Sequence, residues 1–318
     1  MSRPITMVAK VGAYLSFRRG LGYQLRIEGR LLQQFARYAD AAGHRGPLTT
    51  DLALRWARAT ASTDRLYPAR RLEVVRCFAR HLAATEPGTE IPPRGLLGPA
   101  HRRPRPHVYS TAEVAALMAA AGRLGPTGGL RPNTYTTLIG LLAATGLRIS
   151  EALHLDRRDV DLDRGILTVR ETKFRKTRLV PMHPTAADAL RAYARLRDRN
   201  APARRCDRFF ASDCGRGLPY STVRTVFRKL CDGLRLTSPT RPRPRLHDLR
   251  HTFTCRRVEA WYDAGVDLAH AVAALSVYLG HAKVTDTYWY LTATPDLLAR
   301  AAARFEGFAR PVGGEVIP

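Results

Sequence analysis

The stretch RLHDLRHTF, residues 245–253, decides how this chain is read. It follows TSPTRPRP, residues 237–244, a run so rich in proline and arginine that it reads as an exposed basic connector, and it opens what becomes an apolar helix. Three chemistries compete for His247, Arg250 and His251: a metal site, a phosphate cradle, or an ordinary charged helix start. As metal ligands, His247, His251 and Cys255 fall at i, i+4 and i+8 on one face. At a rise of ~1.5 Å per residue the outer two stand about 12 Å apart, so at most a pair ligates together, and no fourth ligand is evident. As a phosphate cradle the segment makes better sense. His247 and Arg250, at i and i+3, share one side near a helix N-terminus, where unpaired N–H groups and the helix dipole already favour an anion. A guanidinium and an imidazole converging on two non-bridging oxygens suit a phosphodiester. A solvated helix start accounts for any one of these residues alone.

They are not alone. LLAATGLRISEALHL, residues 141–155, sets Arg148 just after Gly146 in apolar surroundings; Glu151, three residues on, either forms a simple salt bridge or orients the guanidinium. Next the apolar period changes from 3.6 to 2: GILTVRE, a turn at TKFRK and TRLVPM predict a β-hairpin. Its tip holds Lys173 and Lys176, in a chain whose 52 basic residues include only five lysines. Lysine, unlike arginine, gives up a proton at reachable pH; a basic hairpin lying on DNA is the plainer reading, and it suits Lys176 better than Lys173. Finally, in LGHAKVTDTYWYL, residues 279–291, Gly280 ends an apolar helix and lets His281 emerge at the break as a hydrogen-bond donor. Tyr288 and Tyr290 are two apart, so on a helix only one of them reaches a site shared with His281.

The whole chain supports an anionic partner. Its 318 residues suffice for two cores. A net charge of +25, with basic residues outnumbering 27 acidic ones nearly two to one, attracts polyanions, chiefly nucleic acid or anionic membrane. A genome of skewed base content explains arginine in place of lysine but not that excess. No apolar run is long enough to span a bilayer, and MSRPITMVAK lacks a secretion-signal pattern, so a soluble protein of the cytoplasm, associated with the nucleoid, is expected. Five scattered cysteines without a CxxC pair read as reduced thiols.

Residues 1–85 carry helical periodicity throughout, with Leu31, Leu32, Phe35 and Tyr38 on one side of a second helix and Thr50 as the cap of a third; they predict a compact four-helix domain. Residues 86–108 hold six prolines and no periodicity, and predict an extended, basic linker. From 109 to 318 a mixed domain follows: helices, the first capped at Ser110 or Thr111 with Glu113 in its first turn, the one hairpin, and a short strand at DRFFAS.

Arginine in ATGLRISEAL, lysine in TKFRKTRLVP, histidine and arginine in HDLRH, then LGH with a tyrosine nine residues on: over residues 109 to about 292 this resembles the tyrosine recombinases, the phage integrase family. The motifs stand in the family's order and near its spacing, a combination far more specific than any one of them. The interval from Arg250 to His281 is longer than in compact members, and TYWYL offers two tyrosines. The resemblance implies a mainly α fold with a small β-sheet, in which a helical core-binding domain precedes a mixed α+β catalytic domain. It implies DNA cutting and rejoining through a 3′-phosphotyrosyl intermediate, without metal, cofactor or ATP. Arg148 and Arg250, with His247 and His281, stabilise the pentacoordinate phosphorane; Tyr290, with Tyr288 as the alternative, is the nucleophile; Lys173 protonates the leaving 5′ oxygen. The expected partners are double-stranded DNA and three further copies of this chain, in a tetramer linked by exchange of a C-terminal helix over about 294–307. A type IB topoisomerase-like enzyme or a non-catalytic DNA-binding protein are the alternatives.

Overall fold

A computed structural model of the chain describes residues 5–101, 106–170, 177–200, 202, 205–237, 243–281, 283–285, 287 and 302. Lys173, Tyr288, Tyr290 and the expected 294–307 helix, apart from residue 302, lie outside the described residues. The architecture is mainly α with one three-stranded sheet. Two compact units divide it, Met1–Arg103 and Pro104–Pro318.

The first unit has four helices, α1 (Met7–Gly20), α2 (Arg26–Ala41), α3 (Thr50–Arg58) and α4 (Tyr67–Leu82). In α2 the spacing of Leu31, Leu32, Phe35 and Ala39 lays one stripe into the core against Trp56 and Phe78, while Tyr38 stays at its margin. Each such fully buried large side chain contributes about 1.5–3 kcal/mol. Asp40 of α2 accepts hydrogen bonds from the Met7 and Val8 N–H groups at 2.9 and 3.0 Å, a carboxylate at the positive end of α1. Thr49, not Thr50, caps α3: it keeps extended backbone and accepts from Leu52 N–H at 3.3 Å. Thr50 instead gives its N–H to Glu90 at 2.7 Å. That bond fastens the proline-rich stretch to the helices. Further along, Arg76 Nε donates to the Pro92 carbonyl (2.8 Å), Arg70 Nε donates to the Ala100 carbonyl (3.0 Å), and Leu97 packs against the core. Up to residue 100 the stretch is thus docked along α4, because arginines take up carbonyls that an extended chain would leave to water.

The second unit begins with α5 (Thr111–Ala121), where Ser110 and Glu113 complete a capping box, followed by α6 (Arg131–Thr145) and the short α7 (Ile149–His154). Strands β1 (Val160–Asp161), β2 (Ile166–Val169) and β3 (Arg178–Pro181) form the antiparallel sheet in that order. Leu167 pairs with Val180 and Val169 with Arg178 on the buried face, whereas Leu179 points outward. Helices α8 (Pro184–Arg199), α9 (Tyr220–Gly233), α10 (Leu246–Asp263) and α11 (Leu268–Leu279) complete the unit. The strand expected at DRFFAS is absent. Phe209, Phe210 and Ala211 are buried in succession, without the alternation of a two-faced strand, and make only isolated bridges, Asp156 with Arg208 and Ala211 with Gly217.

Two left-handed glycines bring helix ends together. Gly146 (φ +63°) closes α6, and a Cβ there would lie 2.5 Å from the Phe253 ring of α10. Gly280 (φ +69°) closes α11. No described helix is long and apolar enough to cross a membrane.

Candidate active site

The site assembles where α6 and α11 end and where α7 and α10 begin. The last carbonyls of a helix have no partner inside it and carry the negative end of its dipole, and the arginines occupy those positions. Arg250, on α10 and 1% exposed, donates from Nη1 to the Gly146 carbonyl at 2.9 Å and from Nη2 to the Leu279 carbonyl at 2.7 Å. Charge-assisted bonds of this kind are worth about 1.5–3 kcal/mol each. They offset the cost of drying a guanidinium.

The same Nη2 lies 2.9 Å from Nε2 of His281. A guanidinium only donates, so Nε2 accepts, and the ring proton sits on Nδ1, which donates to Oγ1 of Thr287 at 2.7 Å. Thr287 is fully buried, and its hydroxyl can either accept from or donate to the ring.

Arg148 is half-buried at the mouth of α7 and reaches the same helix end: Nη2 donates to the Gly280 carbonyl at 3.3 Å, and Nη1 to Glu151 Oε1 at 2.8 Å. Glu151 also caps α7, accepting from the Arg148 backbone N–H at 3.0 Å. Burial raises its carboxyl, but hydrogen bonds from Arg178 and Arg148 outweigh that and hold it below the usual carboxylate range.

His247 lies on the first turn of α10. Its ring is open to solvent on one side and meets the buried His251 ring edge to face, centroids 4.8 Å apart, on the other. Crowding by protein, then the charge of Arg250, with Arg245 and Arg148 adding and Asp248 opposing, brings the imidazole down to about 4. At neutral pH it is uncharged. Asp248, fully buried, ties down the start of the helix by accepting from the Arg245 backbone N–H at 2.9 Å and from its guanidinium at 2.7 Å.

Of the six residues that the sequence singles out, the structure therefore brings Arg148, Arg250 and His281 onto one helix end, with His247 beside Arg250. Lys173 and Tyr290 lie outside the described residues. Sequence reasoning missed Arg178 and Thr287. For Arg178 a signal existed, since it stands two residues before the buried Val180 and therefore on the same strand face. Thr287 had none. Among the described residues no three His, Cys, Asp or Glu side chains gather where an ion would be held.

Comparison with known proteins follows the same lines. The profile of the phage integrase family matches residues 108–296. Over 301 residues, 93% of this chain and 96% of the relative, the sequence is 40% identical to y4rB, a candidate integrase/recombinase of Sinorhizobium fredii. It is 31% identical over 231 residues to the tyrosine recombinase XerD of Caulobacter vibrioides, covering 73% of this chain and 72% of that one. The fold is similar to that of the Tn1549 transposon integrase in complex with transposon right end DNA, at a TM-score of 0.67 and 17% identity over 96% of this chain and all of that one. It is likewise similar to the XerH site-specific recombinase bound to palindromic difH substrate, at a TM-score of 0.66 and 16% identity over 94% of this chain and 85% of that one.

Proposed function

The chain belongs to the phage integrase family, the tyrosine recombinases, and from that membership we propose that it cuts and rejoins duplex DNA by metal-free transesterification at the pocket between α7, α10 and the end of α11. The observation that carries this reading is the convergence of Arg250 and Arg148 on the Leu279 and Gly280 carbonyls, with His281 against the Arg250 guanidinium. In this reading the two guanidinium groups take the non-bridging oxygens of the scissile phosphate and stabilise the charge that grows on them in the phosphorane, with His247 and His281 as further donors. The Tyr290 oxygen attacks phosphorus and loses its proton to His247. Lys173 gives a proton to the departing 5′ oxygen. One phosphate ester forms as another breaks, so the 3′-phosphotyrosyl bond keeps the energy needed for resealing by a 5′ hydroxyl. Both units bring basic surface to the duplex, and the 86–108 stretch joins a DNA-binding domain, residues 1–85, to the catalytic domain, residues 109–318. Four copies act on paired sites through exchange of the 294–307 helix.

Incubation with a nicked suicide duplex tests the chemistry: a covalent adduct forms and is lost in Tyr290→Phe. An adduct that survives this change but is lost in Tyr288→Phe moves the nucleophile alone, and no adduct from the unaltered chain defeats the reading. Gel filtration with DNA of a chain cut before Thr294 tests assembly, which the cut abolishes if the helix links protomers. Membership among integrases and recombinases does not favour the topoisomerase-like and non-catalytic alternatives.

A further inference from the structure

Building on that reading, we infer that Arg178 is a positioning residue of strand transfer: from β3 it fixes the Glu151 carboxylate, and through that carboxylate it holds Arg148 turned toward the scissile phosphate. The geometry is a three-way clamp. Arg178, its side chain 11% exposed, presents its fork to Glu151, Nη1 to Oε1 at 3.1 Å and Nη2 to Oε2 at 2.8 Å, while Nε donates to the Tyr278 carbonyl in the last turn of α11 at 2.8 Å. Arg148 shares Oε1 with it. One buried carboxylate therefore serves two arginines, and both oxygens are engaged by Arg178 in a fixed plane. The end of α11 is shaped around the clamp: a Cβ at Gly280 would meet Arg178 Nη1 at 2.7 Å, so the glycine that gives Arg148 its carbonyl also makes room for Arg178.

A buried ion pair that only supports the fold predicts lost stability and a raised carboxyl when its arginine goes, but no new pH dependence of strand cleavage. The clamp predicts more. The charged groups facing Glu151 are Arg148 from the start of α7 and Arg178 from β3. With Arg178 gone, burial pulls the carboxyl upward against one arginine instead of two, and Arg148 collapses onto the vacated oxygen. Once protonated, Glu151 no longer anchors Arg148 by a charged bond. Loss of Arg178 therefore makes strand cleavage acid-sensitive in a way that unaltered protein is not.

Two measurements on the full chain test this. Carboxyl-carbon NMR of DNA-free protein follows Glu151 from about pH 8 to about pH 5; in Arg178→Met it titrates at higher pH than in unaltered protein, with Arg178→Lys, which keeps charge but loses the fork, in between. On the nicked duplex, the ratio of Arg178→Met to unaltered adduct rates falls about tenfold per pH unit below that new titration, and adding Glu151→Gln removes the slope. Arg178→Lys carries the same comparison if the methionine variant does not fold. A Glu151 titration unchanged by either variant, or a rate ratio flat with pH, overturns the proposal. Failure of the unaltered chain to form any adduct counts against the reaction, while the carbon titration still decides whether Arg178 holds the Glu151 carboxylate.

Discussion

Arg71 in the first unit and Arg250 in the second are both almost wholly withdrawn from water, and they are held in different ways. Arg71 lies over the Trp56 ring at 3.9 Å and gives Nη1 to the Ala59 carbonyl at 2.6 Å, with burial lowering its pKa and no described hydrogen-bond partner for its Nε. Its contacts come from neighbouring turns of one small bundle. Arg250 draws on the ends of two helices and on an imidazole that is itself held by a third group. The first arrangement spends the guanidinium as a flat, packable plate under an aromatic ring. The second aims its edge at dipoles that orient it without cancelling its charge, which suits a group that must meet a phosphate.

The sharpest way to break this contrast is to remove each arginine. Arg250→Ala slows adduct formation by about 10²–10³-fold, and Arg250→Lys does nearly as much, because an ammonium cannot reproduce the fork. Arg71→Met keeps the stem and leaves the rate per folded molecule unchanged, but costs about 1–3 kcal/mol in denaturant unfolding, since the Ala59 carbonyl loses its donor. Equal effects on rate would erase the distinction. The glycines sharpen it at smaller scale. Gly280→Ala puts a side chain at φ +69° and against Arg178, costing about 1–2 kcal/mol along with adduct yield. Gly12→Ala, inside α1 with nothing within 4 Å of its Cβ, raises stability by about 0.5–1 kcal/mol. A separate effect is that of pH. His247 titrates near 4 in the folded chain against 6.5 ordinarily, so the unfolded chain binds more protons between those values. Its contribution to stability is complete above about pH 6.5 and declines as pH falls toward 4. His247→Gln flattens that part of the unfolding curve.

Much of the fold is legible in the sequence because its signals are local. The Ser110–Glu113 capping box, the stripe of α2 and the glycine after α6 each report on one turn of chain. The misses arise where distant partners decide. Thr50 is the expected cap, yet Glu90, forty residues away, takes its N–H and Thr49 caps the helix instead. Phe209 and Phe210 suggest a strand by composition, yet both enter the core beside Tyr193, and the chain pairs only at single bridges. In β3 the usual expectation inverts: Leu179 is 61% exposed and Arg178 is inside, because the carboxylate it needs comes from α7 and the carbonyl from α11. Of the site, arginines and histidines announce themselves by motif and spacing. The groups that aim them, Arg178 and Thr287, do not, since their meaning lies in a contact rather than in a pattern.

The closing turn of α11 gives the pocket a clock. His281 N–H returns to the Ser276 carbonyl and Gly280 N–H to that of Val277, and this one turn also supplies the oxygens that Arg148, Arg178 and Arg250 hold. When it frays, three cations and an imidazole come loose together. Hydrogen–deuterium exchange at those two amides therefore counts how often the pocket dismantles itself, and a duplex seated against it lengthens the interval between openings.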